Sequence, residues 1–302
     1  MFAPWTPRSG SKKSRILVAA QAALDRYRDS WPLGSREVGY VLTGDEYGFT
    51  HDDVDLIEDV LACARRAGLI PWEAISDGRA GVAAPWTVGD ADEVAEQVLG
   101  SIEEAQYERQ DGQPYRVEVW AEAMGWLTRL ERICNERGVV VHSGSVPVSA
   151  IRNAALRAVS AYPQPTVLLQ IGDLDLNGIR NIARPFADDV EKFVADLLGC
   201  TAEEARQVVV VRRLLLTAEQ VEEHLGERGR RPPSAQALEK GWPYPWTVQA
   251  EALVPPDVRD RIVSDAIDAL HDVAERERII ASETVLHDDA RAALSKRLAG
   301  SS

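Results

Sequence analysis

Cysteine is scarce in this 302-residue chain, which has only Cys63, Cys134 and Cys200. An odd number at wide spacing excludes a disulfide framework and a cysteine-based metal site, and points to a reducing, cytoplasmic compartment. Long apolar runs are missing as well. The one N-terminal stretch of that kind, residues 16–24, is interrupted by Gln21, is too short to span a bilayer and has no cleavage site after it. Neither a signal peptide nor a membrane anchor is expected. Positive charge is in deficit, with 34 Lys and Arg against 48 Asp and Glu, a net charge of −14 and a pI near 4.9. That balance argues against broad coating of nucleic acid. A GxGxxG loop, a Walker A loop, a His-x-x-x-His pair and a nucleophile elbow are all absent, which removes the enzyme classes built on them.

What remains is ordinary folded-protein composition, 45% hydrophobic and 27% charged, with no internal repeat and no low-complexity tract. The charge is unevenly spread. Residues 1–36 carry seven basic side chains against Asp25 and Asp29, a local basic end suited to phosphates. Lys12, Lys13 and Arg15 lie in that end, and Arg65 and Arg66 close a later helix. These five are the candidate DNA contacts.

Hydrophobic periodicity divides the chain. Residues 1–14 read as a flexible N-terminus. Residues 15–90 read as helix, short helix, turn and helix, then a strand at 69–72 and Ile75, the order of a winged helix-turn-helix. Ser35 is expected to cap the short helix, and Thr50 with Asp53 to cap the next. Residues 91–114 read as a connector helix ending at a turn-rich boundary. In residues 115–302 short apolar strands (116–120, 139–142, 166–171 and 208–216) alternate with helices, followed by a C-terminal helical extension. The fold class is α/β with a parallel sheet.

Two strands end in acid. The run from Arg116 finishes at Glu122, and the run from Thr166 leads into Gly172, Asp173, Leu174, Asp175, Leu176, Asn177 and Gly178. An EF-hand is excluded, because the twelfth position counted from Asp173 is Arg184 rather than a bidentate Glu. Glu122, Asp173 and Asp175 at neighbouring parallel strand ends would make a hard, oxygen-only site suited to Mg2+.

These two strand ends resemble the Toprim domain of topoisomerases, primases and related nucleases. In that family a Glu ending one strand and an Asp-x-Asp ending a later one hold the divalent metal. The resemblance carries Glu122, Asp173 and Asp175 and covers residues 116–216. With a winged helix in front, the domain order is similar to the A subunit of topoisomerase VI and the related meiotic double-strand-break protein. In that family the DNA-cleaving tyrosine lies four residues after an arginine on a short helix, which here selects Arg36 and Tyr40. The implied activity is cleavage of double-stranded DNA by transesterification from Tyr40, with Arg36 on the phosphate and Mg2+ as cofactor. The resemblance further implies a homodimer in which each tyrosine serves its partner's metal site, and a separate ATPase subunit for strand passage.

The chain departs from the family at Ala123, where Lys is common, at Leu176, where Pro is usual, and at Gln249, where a late Glu is expected. Were residues 247–253 a strand, Glu251 would share a face with Gln249 and stand in for that acid. Two alternatives follow: a catalytically lapsed module that binds DNA or a partner, and a nuclease that uses metal and carboxylates without the tyrosine. Arg228, Arg230 and Arg231 read as a solvated loop or as DNA-backbone contacts. Trp242, Tyr244 and Trp246 read as aromatic–proline packing or as a stacking platform.

Overall fold

The computed structural model describes residues 5–43, 46–76, 90–122, 124–144, 146–227, 229–253 and 256–299. Helix α1 (Lys12–Arg26) starts where the Ser11 hydroxyl accepts the Ser14 N–H, and buries a stripe of Ile16, Ala20, Ala23 and Leu24. A two-residue strand, β1 (Leu33–Gly34), leads into α2 (Ser35–Leu42). The cap of α2 falls on Gly34 instead of Ser35. Glu37 reaches back to accept the Gly34 N–H at 3.2 Å, while the Ser35 hydroxyl donates to Glu58. Helix α3 (Val54–Arg66) is entered through the expected Thr50–Asp53 arrangement, with the Thr50 N–H on Asp53 at 3.0 Å.

Residues 69–72 do not form the expected strand. The Leu69 N–H turns back to Ala64 as a helix-end bond, and after Pro71 the chain makes a 3-10 turn, Trp72–Ala74. Only β2 (Ile75–Ser76) is extended, and it pairs in parallel with β1. Residues 78–90 read from their sequence as a loop, and apart from Asp90 they lie outside the described residues.

The connector is helical over α4 (Ala91–Glu103). The turn-rich stretch after it is tied down by side chains. Gln110 accepts the Val117 N–H and donates to Gly138, and Gln113 exchanges two hydrogen bonds with the backbone of Asp272. Such bonds replace the ladder partners an irregular segment lacks.

Beyond it comes a four-stranded, all-parallel sheet. Strand β3 (Arg116–Ala121) is followed by α5 (Leu127–Asn135), β4 (Val140–Ser143), α6 (Val148–Ala161) and β5 (Thr166–Ile171). A π-wound turn (Asn177–Ala183), α7 (Arg184–Leu198) and α8 (Ala202–Val208) then lead to β6 (Val209–Leu215). The order is β4-β3-β5-β6. Strand alternation loads both faces. Val117, Val119, Val167, Leu169 and Ile171 pack into the large core shared with α1, α2, α3, α5 and α11, whereas Trp120 and Leu168 pack against α6, α7 and α8. On that second face the fully buried Glu118 is neutralised by Arg157 at 2.6 and 2.8 Å and by the Trp120 indole N–H.

After β6 the chain forms α9 (Ala218–His224), α10 (Ala235–Glu239), α11 (Pro256–Asp268) and α12 (Val273–Ala299). A buried two-pronged ion pair, Arg109 to Glu283 at 2.8 and 2.6 Å, fastens α12 to the segment before the sheet. No helix among the described residues is long and apolar enough to cross a membrane.

Candidate functional site

Register brings the acidic strand ends together. Ala121 lies opposite Ile171, and the Glu122 N–H continues the ladder onto the Ile171 carbonyl at 2.9 Å. Glu122 and Gly172 therefore leave the sheet side by side, at the carboxyl end where open parallel sheets place their chemistry. Gly172 keeps this corner open: a Cβ there would lie 2.7 Å from Glu122 Oε2 and 3.1 Å from Arg213 Nη1, and those two side-chain ends would have to shift. Gly178 answers a second close approach, since its Cβ would lie 2.3 Å from the Asp173 carbonyl.

Each carboxylate spends one oxygen on the backbone. Glu122 Oε2 accepts the Asp173 N–H at 3.3 Å, Asp173 Oδ1 accepts the Ala250 N–H at 2.9 Å, and Asp175 Oδ1 accepts the Gly178 N–H at 2.6 Å. Burial raises the Glu122 and Asp173 pKa values, and repulsion among the acids adds to it, from Asp173 and Asp175 on Glu122 and from Asp175 on Asp173. Glu251 belongs to the same cluster. It lies on a 3-10 turn (Ala250–Ala252), not on a strand beside Gln249 as the sequence pattern suggested. Desolvation, followed by repulsion from Asp173, pushes its carboxyl up to about 7.

The positive charge among these acids is Arg213, at the end of β6. Its guanidinium donates to the Gly172 carbonyl at 2.5 Å and the Asp173 carbonyl at 2.6 Å, and Nη1 is buried without a hydrogen-bond partner. Burial lowers its pKa against the opposing pull of Glu122, Asp173 and Asp175. For a divalent cation the donor chemistry fits: hard oxygens, partly desolvated and mutually repelling. The geometry is not a ready chelate, because no three His, Cys, Asp or Glu side chains among the described residues stand close enough together to hold a metal ion.

Tyr40 reaches the same region from α2. A pair of antiparallel bridges prepares its contact. Leu174 pairs with Val248, and Thr247 in turn pairs with Arg231. Gln249 and Arg231 are thereby set beside Tyr40, whose hydroxyl donates to Gln249 Oε1 at 2.6 Å and accepts from Arg231 Nη2 at 3.1 Å. The tyrosine is fully buried, and its ring stacks on His51 with centroids 5.4 Å apart. Desolvation raises its pKa, while Arg231 and Arg36 pull it down. The phenol is therefore a protonated donor at neutral pH. Two adjacent residues link the halves of the site: the Gln249 side chain holds the Tyr40 hydroxyl, and the Ala250 N–H holds Asp173.

Of the candidate DNA contacts, Lys13, Arg15 and Arg66 are exposed, with Arg15 also over the Phe49 ring. Lys12 pairs with Asp53. Arg65 is buried, with its guanidinium 4.5 Å from the centre of the Trp72 ring. Trp246 stacks on Tyr244 and lies under Arg230, with Trp242 packed edge-on. Arg228 lies outside the described residues.

Arg213 and His51 were not singled out from the sequence. A pair of arginines inside an otherwise apolar strand, Arg212 and Arg213, is the signal that marks a charge held for a partner. His51 has no local signal, because its neighbour Tyr40 is eleven residues away on another element. Comparison of the chain with protein-family models, curated proteins and solved structures finds no match.

Proposed function

We propose that this chain is a DNA-acting phosphodiester transferase resembling the topoisomerase VI A subunit, a winged helix followed by a Toprim-like domain, with Tyr40 as nucleophile. The observation that carries the reading is the pairing at Gln249 and Ala250, which places the Tyr40 hydroxyl and the Asp173 carboxylate on neighbouring residues of one strap. The family's usual Glu is Gln249 here, and its neutral amide oxygen accepts the Tyr40 proton, which orients the phenol. Attack by the Tyr40 oxygen on a backbone phosphorus would form a phosphotyrosyl bond and release a sugar hydroxyl. Arg36 and Arg231 neutralise the phosphate and favour the phenolate. Glu251, whose carboxyl is pushed up to about 7 and whose charge is felt at Tyr40, is the candidate to take the phenolic proton.

Mg2+ would be held by Glu122, Asp173 and Asp175 only once these side chains turn toward one another, since as they stand the three are not close enough to hold an ion. There it would supply charge to the phosphate oxygens. Because neighbouring residues of one strap hold Tyr40 and Asp173 in a single chain, this reading pairs the tyrosine with the carboxylates of its own chain and does not call on a partner's tyrosine. Strand passage would still call for a separate ATPase subunit.

The test is supercoiled plasmid with purified protein and Mg2+. Nicked or linear product that disappears with Tyr40→Phe supports the reading, and no product with any divalent ion rejects it. A second reading, a lapsed module that binds DNA without cutting, is favoured by one observation: Arg213 already supplies positive charge where the cation would act. It expects DNA affinity to survive Tyr40→Phe combined with Asp173→Asn.

A further inference from the structure

Arg213 is set into the acid cluster by an irregularity in the sheet. Gln170 lies opposite Arg213, but the next residue of β5, Ile171, lies opposite Leu215, so β6 carries one extra residue, Leu214. A slip of this kind bends the strand and re-aims a side chain. Here the guanidinium reaches over the corner where β5 ends, onto the carbonyls of Gly172 and Asp173, with a longer bond of 3.5 Å to that of Leu216. All three acceptors are backbone oxygens and none is a carboxylate. The remaining nitrogen, Nη1, is buried and has no hydrogen-bond partner. It approaches the same empty position beside Gly172 as Glu122 Oε2 does, where a Cβ would lie 3.1 Å from one and 2.7 Å from the other. Desolvation lowers the Arg213 pKa, and the charges of Glu122, Asp173 and Asp175 all act against it.

This arrangement suits a spread single charge better than a compact double one. A divalent ion gathers several hard oxygens closely around it. The acids as placed stand too far apart for that, and the carbonyl oxygens of Gly172 and Asp173 are already taken by Arg213. A planar guanidinium, by contrast, is served by acceptors spread along its edge. Two cations in one partly desolvated corner would also repel each other strongly. We infer that Arg213 is the resident cation of the acid cluster, and that a divalent ion enters only by displacing its guanidinium. The inference adds a regulating residue to the site of the proposed function and rests on that reading only for the use of a divalent ion.

Mn2+ binding to the full chain, followed through the EPR signal of the free ion, tests this without reference to activity. Binding at this site is the part that Asp173→Asn removes. Arg213→Gln, which drops the charge and keeps an N–H donor, is expected to bind Mn2+ about tenfold tighter than the parent or more. Arg213→Lys, which keeps the charge, should stay within about threefold of the parent. A second measurement needs only the folded parent labelled with 15N-arginine. Its Arg213 Nε–H signal, assigned by loss in Arg213→Lys, is expected to move as Mg2+ is added.

Arg213→Gln binding no tighter than the parent, or Arg213→Lys binding as tightly as Arg213→Gln, overturns the inference. A parent Arg213 signal that stays in place while Mg2+ binds overturns it too. Any of these results leaves the proposed function standing. Tighter binding by Arg213→Gln, in a protein whose parent never cuts plasmid, upholds the displacement and counts against that function instead.

Discussion

Glu37 and Arg259 form a buried contact that fixes the helix carrying Tyr40. They are 2% and 1% exposed, with Arg259 Nη2 2.9 Å from Glu37 Oε1. The pair joins α2, which carries Arg36 and Tyr40, to α11, and the Arg259 guanidinium lies 4.3 Å from the centre of the Trp126 ring. The contact is ionic rather than a well-aligned hydrogen bond, since neither of those two atoms has a hydrogen-bond partner. Glu37→Ala would leave the buried Arg259 guanidinium with only its longer, 3.8 Å ion pair to Asp260, which costs about 3 kcal/mol. Loss of the Gly34 N–H cap adds roughly 1 kcal/mol. Replacing both members by apolar residues, Glu37→Leu with Arg259→Met, removes both charges and should be within about 1 kcal/mol of the parent. Urea unfolding followed by tryptophan fluorescence measures all three proteins, with an unchanged m-value showing that only stability moved. If Glu37→Ala costs less than about 1 kcal/mol, or if the double replacement is as damaging as the single, the ionic account of this junction is wrong.

Two further outcomes follow from single contacts. His271 is buried beside Arg276, and desolvation, aided by that neighbour, lowers its pKa to about 4. The native state therefore holds it neutral, while the unfolded chain protonates it near 6.5. The stability this contributes is complete above pH 6.5 and is lost as pH falls toward 4, by about 2 kcal/mol once partial hydration is allowed for. In His271→Phe that share of the acid destabilisation should vanish, as read by unfolding at pH 4.5 and 7.5, and an unchanged pH slope would count against it. Gly172→Ala, by pushing aside the side-chain ends of Glu122 and Arg213, is expected to destabilise by no more than about 1 kcal/mol. It should also weaken Mg2+ binding measured by calorimetry. A variant with parental stability and affinity would show that the crowding is relieved at no cost.

The strands around the site were legible from their apolar runs. Thr166–Ile171 falls where expected, and Glu122, Asp173 and Asp175 follow β3 and β5 as anticipated. Local patterns carry that information because burial on both faces of a parallel sheet demands continuous hydrophobic stretches. The partners of Tyr40 were not legible. Gln249 and Arg231 are 209 and 191 residues away and reach it only through the bridges at Leu174 and Thr247.

Glu251 joins the acid cluster from a 3-10 turn instead of a strand, because alternation in a short segment also fits such a turn, and here the Ala250 N–H turns toward Asp173. Residues 109–113 look like a linker in composition. The side chains of Arg109, Gln110 and Gln113 are instead buried and bonded to distant backbone, a use that sequence pattern does not separate from solvation. Helix α8 was missed although Thr201 and Glu204 form the capping box that announces it.

The central claim is that Tyr40 works with the acid cluster of its own chain, and mixing two inactive variants tests it most directly. Tyr40→Phe and Asp173→Asn proteins, each unable to cut plasmid alone, are combined at equal concentration with Mg2+ and assayed beside the parent. The structure predicts no recovery, because neither chain then contains both groups. Recovery in the mixture would mean that the tyrosine of one chain serves the carboxylates of another, and would contradict the account.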